Sequence, residues 1–515
     1  MTNKAPGARL SKSIAIVFFA SGMRWILSCI KIIIIASLFG TTFAYDAYLV
    51  AFAIPEMITG LLVGVIAVTF IPIFTDYFVK EGDVKALDFA SNLMSVFFII
   101  GLLLTFITIV LAPLIVRLAA PGFNQETFRL AVRLIIIIFP IILIVTLTEI
   151  VARILQAYGH FIVPSLGNVL EVGVVIASLY FLSNKFGIFS LACGLLLGVF
   201  VKFIFQFLFL CRKVKHFHFR FGFNFRLPGI EKFSRLAAPL ISCMLFLRIG
   251  TVIERLLAST LKEGSISILG YATALTDVPS EIFLSSIGIV LFPLISKYAS
   301  EGKIADFKTV LSKGIRMGNF ILVPIAVIFI FFGKQIIQSL LERGKFVSSM
   351  THDTSIALAL YALSLFAMGI YFFSAQACYA IQEINATLKI AIFFMILSTI
   401  FKVIIINYLS FAGLALVTSV ALIFQSGFLM KFLIKKIGSL DGKIIAVSSF
   451  KILTASILMA LACWLALRLV PAHTHKLIKL STLLFTAGIS YFVFSYLLRS
   501  KELATLKDLI KTTVL

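Results

Sequence analysis

The chain predicts an all-α, polytopic membrane protein: about 14 transmembrane helices, as two six-helix lobes related by a pseudo-two-fold plus two C-terminal helices. Three observations predict it. Apolar stretches of roughly 20 residues or more, the length a helix needs to cross hydrocarbon, run through the sequence almost end to end. Hydrophobic residues make up 61% of the 515 and charged ones only 13%, too few to clothe a soluble surface. Basic residues gather in alternate loops, as they do when every second loop faces the cytoplasm. Each backbone N–H and C=O in hydrocarbon has to be satisfied within its own segment, so these stretches are read as helices.

Apolar runs set against breakers place the spans in order. The first lobe, residues 1–212, holds 13–39, 48–78, 89–118, 130–157, 161–183 and 187–211. Residues 13–39, 89–118 and 130–157 are the plainest, each longer than a crossing requires. A basic cytoplasmic linker follows at 213–232. The second lobe, residues 233–437, holds 233–261, 266–298, 314–341, 354–382, 387–408 and 412–437. Residues 438–515 carry a second basic stretch, two more spans at 450–470 and 477–498, and a basic tail. The first span is too long for a signal-peptide core and no small-residue cleavage site follows it, so it is expected to stay attached.

Charge fixes the expected orientation. Lys4, Arg9 and Lys12, the stretches 212–232, 297–313 and 431–443, and the tail from 499 to 511 are basic. The loops between them, 40–45, 121–126 and 410–413, are nearly free of Lys and Arg. Both termini are therefore expected in the cytoplasm. The net charge of +23 comes from this distribution. It excludes nucleic acid as a partner, because no basic stretch carries interleaved aromatics on a soluble fold. The linker and tail are expected to lie against anionic membrane lipid, each basic residue contributing about 1 kcal/mol.

The two sets of six share features at an offset of roughly 220 residues, the mark of an internal duplication. Phe70-Ile-Pro72 and Tyr77 close one span; Phe292-Pro293 and Tyr298 close another. Each is followed by Glu-Gly (Glu81-Gly82, Glu301-Gly302), then by Asp-Phe (Asp88-Phe89, Asp306-Phe307) and a long span. Six crossings is an even number, so both copies insert in the same sense, and substrate is expected between the lobes.

Several chemistries are excluded. The six cysteines are scattered, with no Cys-x-x-Cys pair, so neither zinc nor a disulfide framework is indicated. His216/His218 and His473/His475 are two apart and do not share a helix face. There is no Gly-x-x-x-x-Gly-Lys-Ser/Thr loop, no cofactor motif and no nucleophile–base arrangement, so the chain is read as a transporter and not an enzyme.

Ionisable residues within spans are the candidate site, because each costs about 2.5–3.5 kcal/mol at mid-bilayer and so faces a partner or a cavity. They are Arg24 and Lys31 in span one, Glu56 in span two, Glu149 in span four and Glu171 in span five. Span seven adds Arg248, Glu254 and Arg255; span eight adds Asp277 and Glu281; span eleven adds Lys402. Arg24 and Lys31 are two helical turns apart and share a face, an arrangement that suits a phosphate or pyrophosphate. Snorkelling of Arg24 to the interface is the alternative.

At Phe39-Gly40, Asp46-Ala-Tyr-Leu-Val-Ala-Phe-Ala-Ile-Pro55 and Phe70-Ile-Pro72 the chain resembles the MurJ (MviN) family of lipid II flippases, within the multidrug, oligosaccharidyl-lipid and polysaccharide exporter superfamily. The resemblance continues through Ala120-Pro-Gly-Phe123, Phe139-Pro140, Phe161-Ile-Val-Pro164, Ile253-Glu-Arg-Leu-Leu-Ala-Ser259 and Gly264-Ser-Ile-Ser267. It extends to Tyr271-Ala272, Pro279, Leu291-Phe-Pro293 and Gly413-Leu-Ala-Leu-Val-Thr-Ser419, covering spans one to twelve in order. It implies a V-shaped carrier that moves an undecaprenyl-pyrophosphate-linked peptidoglycan precursor to the outer leaflet. The headgroup would enter a cationic cavity and the lipid tail a groove of the last two helices. Implied substrate contacts are Arg24, Lys31, Asp46 at the portal and Arg255, with Glu56 and Asp277 as cavity or portal candidates.

The chain also departs from the family. Places that the resemblance gives to arginines fall on Trp25, Lys31 and Thr59; a glutamate falls on Gly64 and an Asp-Arg pair on Thr273-Ala274. A sodium site that the family carries falls on Glu254, Ser398 with Lys402, and Thr418, so that a lysine stands where an acid should ligate the ion. The expected function is a flippase for a polyprenyl-linked glycan, lipid II first, with membrane lipids and cell-wall synthesis proteins as partners. Three readings stand beside it: a flippase for an exopolysaccharide or surface-glycan intermediate, a non-transporting cell-wall scaffold, and a drug-cation antiporter drawing on Glu56, Glu171 and Glu254.

Overall fold

The computed structural model describes residues 6–214, 217, 219–222, 228–440, 442–471 and 474–503, and among them every regular element is a helix. His216, His218, His473, part of the basic linker and the tail beyond 503 lie outside the described residues. Packing divides the chain into two compact units, Met1–Ile266 and Ser267–Leu515.

The first unit holds α1 (Pro6–Phe39), α2 (Phe43–Glu81), α3 (Asp83–Ala119), α4 (Gln125–Ile138), α5 (Ile141–Ala157), α6 (Ile162–Phe186), α7 (Phe189–Lys213) and α8 (Pro228–Ser259). Span four is two helices. Pro140 has no N–H to give and its ring crowds the preceding turn, so the run breaks at Phe139-Pro140 and resumes as α5. Asn124 caps α4 by accepting from the Thr127 N–H at 2.8 Å. The unit is held at its linker end by Ile66, Phe70 and Phe74 of α2, Phe89, Leu93 and Phe97 of α3, Ile154 of α5, Leu210 of α7 and Phe233 of α8, all buried in one cluster. Phe70, Phe74 and Phe89 stack with centroids 5.3 and 5.9 Å apart, and Tyr77 lies on Phe89 at 5.3 Å. The aromatic motif that closes span two thus works as the unit's hub.

In the second unit are α9 (Ser265–Ser300), α10 (Ile304–Leu340), α11 (Ser348–Ala362), α12 (Leu365–Ala380), α13 (Ile384–Ile437), α14 (Gly442–Leu469) and α15 (Lys476–Leu497). Span ten is likewise two helices, bent by 41° between α11 and α12 without a proline. The Ser364 hydroxyl donates to Tyr361 O at 2.7 Å at this bend. α13 runs 54 residues, about 80 Å if straight, far beyond a bilayer. Ser410 breaks it with φ 52 and ψ −138, giving the two arms expected at 387–408 and 412–437. Phe320, Phe332 and Ile336 of α10 pack with Ile452, Met459 and Cys463 of α14 and Leu483 and Tyr491 of α15, so the last two helices are buttressed by α10.

Among the described residues ten helices are long and apolar enough to cross a membrane, and two bent pairs raise this to 12. With the two arms of α13 counted separately and the charge-bearing α8 included, the number agrees with about 14 crossings.

Candidate functional site

The end of the first unit at which α2 begins and α8 finishes is closed through Asp46. It stands in the first turn of α2, only 4% exposed, and its Oδ2 accepts from the Gly264 N–H at 2.7 Å. Glu263 beside it accepts from the Phe43 N–H at 2.9 Å. Two close approaches need glycine there. A Cβ on Gly264, which also has φ +87, would come within 2.5 Å of Thr41 O, and one on Gly122 would collide with the Ser259 carbonyl. Asp46 therefore holds the α8–α9 connection against the start of α2 in this conformation.

Below that seal α2 and α8 run antiparallel. Arg255 donates to Leu49 O at 2.9 Å and to Glu56 Oε2 at 3.2 Å, so this cation is already compensated. The contacts then descend: Arg248 lies over Gly60, Met244 over Gly64, and Lys232 donates to Asp76 at 3.0 Å. Thr59 spends its hydroxyl on Pro55 O and Glu56 O, at 2.8 and 3.1 Å.

On α1 the guanidinium of Arg24 stands 4.9 Å from the Trp25 ring. Lys31, partly buried, feels the charges of Glu171, Arg24 and Glu56. Neither Arg24 nor Lys31 makes an ion pair among the described residues. Glu171 of α6 is instead held by Lys202 of α7 at 2.8 Å. One turn beyond Lys202, Gln206 is fully buried with both amide atoms lacking a partner among the described residues. Glu149 pairs with Arg153 on its own helix. Sequence reasoning overlooked Lys202 and Gln206, although a lysine inside the apolar run 187–211 is itself a signal.

The remaining candidates lie on α8, α9 and α13. Glu254 belongs to the first unit; Ser398, Lys402 and Thr418 belong to the second. Ser398 and Thr418 turn their hydroxyls to Met395 O and Leu414 O, both at 2.9 Å, and Lys402 is 6% exposed. Asp277 is exposed on α9. Two acids of the second unit are held by cations. Glu502 is buried, accepting from Arg316 and from the Ser448 hydroxyl, each at 2.8 Å. In the loop after α10, burial disfavours the charged form of Glu342, but hydrogen bonds from Lys476 (2.9 Å) and Thr351 (2.7 Å) outweigh it. Its carboxyl is held below the ordinary glutamate range.

The model of the lipid II flippase MurJ family matches residues 35–485. A probable lipid II flippase MurJ from Buchnera aphidicola subsp. Schizaphis graminum is 29% identical over 480 residues, covering 90% of this chain and 91% of that one. The lipid II flippase MurJ of Burkholderia cenocepacia is 26% identical, covering 74% and 76%. Among solved structures, a lipid II flippase MurJ in an inward closed conformation superposes with a TM-score of 0.78 at 25% identity, covering 96% of this chain and 99% of that one. An inward-facing multidrug transporter of the MATE family shares the fold, with a TM-score of 0.72 at 16% identity over 81% and 95%. This chain is an integral membrane protein that belongs to the lipid II flippase MurJ family.

Proposed function

We propose that the chain moves lipid II, the undecaprenyl-pyrophosphate-linked peptidoglycan precursor, from the inner to the outer leaflet of the bacterial cytoplasmic membrane. The observation that carries this reading is the match to a probable lipid II flippase MurJ over nine-tenths of both chains. Arg24 and Lys31, which make no ion pair among the described residues, support it, because they can take an anion. The repeat plan of lobes 1–212 and 233–437, with both termini cytoplasmic, belongs to the same proposal.

The test is rescue of a bacterium depleted of its lipid II flippase. Wild-type chain is expected to restore growth, and Lys31→Ala to abolish rescue at normal membrane levels. Rescue by Lys31→Ala equal to wild type would show that the cation has a structural task only. Thr59, neutral and bound to its own backbone, favours a second reading, a less charged lipid-linked surface glycan. Restored glycan export without growth rescue would select that reading.

We also propose that Lys402 supplies internally the positive charge that a bound sodium ion gives the family, with Ser398 and Thr418 as the remnant of its site in the second unit. Flipping in vesicles should then ignore an imposed sodium gradient. Flux that rises with the gradient would sink the idea.

A further inference from the structure

We infer that Arg248 binds the diphosphate of the substrate, presented by α8 through a glycine notch in α2; the inference rests on the lipid II reading above. Gly60 and Gly64 stand one turn apart on the face of α2 that meets α8. The Gly64 position is filled by Met244, whose Sδ would lie 2.8 Å from an added Cβ. At Gly60 the filler is a guanidinium: Cζ, Nη2 and Nε of Arg248 would stand 3.5, 3.6 and 3.7 Å from an added Cβ. All three atoms at nearly one distance mean that the planar group presents its face to Gly60, in ordinary van der Waals contact with the Cβ position, so that a side chain larger than alanine at 60 would take its space.

Arg248 and Arg255 are two turns apart and share one face of α8, yet they are used differently. Arg255 is engaged by Leu49 O and Glu56. Arg248 is exposed and makes no hydrogen bond or ion pair among the described residues. It lies 11 residues, about 16 Å, below the outer end of α8 at Ser259, deep in the span. A guanidinium at that depth is not left facing hydrocarbon. It faces water until an anion replaces the water.

The surroundings narrow the anion. Glu56, the acid of α2 one turn before Gly60, is occupied by Arg255, so Arg248 keeps its charge. A diphosphate offers several oxygens and at least two negative charges, matching the fork of an arginine.

Undecaprenyl diphosphate, which has the anion but neither sugar nor peptide, is the probe, and undecaprenol is the neutral control. Binding of both to the purified full chain is measured by native mass spectrometry. Arg248→Ala should weaken diphosphate-lipid binding about tenfold or more and leave undecaprenol binding and the melting temperature unchanged. Arg248→Lys should retain part of the preference. Gly60→Val should reproduce the loss with the arginine still present, because it fills the notch. Wild-type affinity in Arg248→Ala, or equal loss for both lipids, would overturn the inference. Wild-type chain that prefers the diphosphate lipid yet fails flippase rescue would remove the cargo reading and keep Arg248 as an anion site.

Discussion

In the first unit Arg24, Lys31 and Arg248 make no ion pair among the described residues, whereas in the second Arg316 is bound to Glu502, Lys436 to Glu383 and Lys476 to Glu342. Both units carry cations on largely apolar helices, so composition does not distinguish them. The difference lies in what each cation costs when removed. A paired charge within a span is a fastener whose loss strands its partner; an unpaired one is kept for something that arrives from outside. The first unit has both kinds side by side, since Lys202 holds Glu171 while Lys31 stays open.

The sharpest way to break this contrast is at Glu502. Its side chain is 4% exposed, and Arg316, at 18%, is its ion partner. Glu502→Gln or Arg316→Met should destabilise the purified protein by about 3–5 kcal/mol, seen as a lower melting temperature in detergent. The double variant Arg316→Met/Glu502→Leu should recover most of the loss. If Arg316→Met melts with wild type, or if Arg248→Ala falls as far as Arg316→Met, fastening and binding charges cannot be told apart by pairing.

A smaller effect is expected where Gly122 meets Ser259 in the first unit. Gly122→Ala sets a methyl group on the Ser259 carbonyl and should cost about 1–3 kcal/mol. Its signature is local: a cysteine at Thr260 should react faster with an impermeant thiol reagent applied from outside. An unchanged rate would show that the seal does not depend on this approach.

The smallest effect is a pH dependence at Glu342. Its folded carboxyl titrates below the ordinary 4.5, so its contribution is complete above that value and fades as pH falls through the folded one. Lys476 is half exposed, which limits the pair to about 1 kcal/mol at most. Glu342→Gln should flatten the acid limb of a melting-temperature profile and leave neutral pH nearly unaffected. An acid limb identical to wild type would assign that limb to other carboxylates.

Helices were legible in the sequence wherever a long apolar run met a breaker, and the break between 408 and 412 fell on Ser410. Phe139-Pro140 announced the split of span four, although the run was read as one span. Nothing local announced the bend between α11 and α12, where no proline stands and a serine merely satisfies a carbonyl. The site was less legible. Charged residues in spans are found by inspection, but which of them pair depends on contacts between residues far apart in sequence. Arg248 and Gly60 are 188 positions apart, and neither has a pattern that implies the other. Asp46 was expected at a portal for substrate, and here its carboxylate holds a backbone N–H. Its role with substrate remains a proposal.

The turn at Ser410 bears on how α13 enters the bilayer during synthesis. The residues around it, Leu409 and Phe411 to Leu414, give the hairpin no hydrophilic loop to translocate. A segment so joined partitions as a pair, and the second arm lowers the free energy of insertion for the first. That matters for Lys402, eight residues before the turn, about 12 Å from it along the helix. Alone, its arm would carry an ammonium group into lipid; joined to an apolar second arm, the ammonium crosses in a hairpin whose summed hydropathy still favours insertion. Its burial in the assembled unit then makes the step hard to reverse.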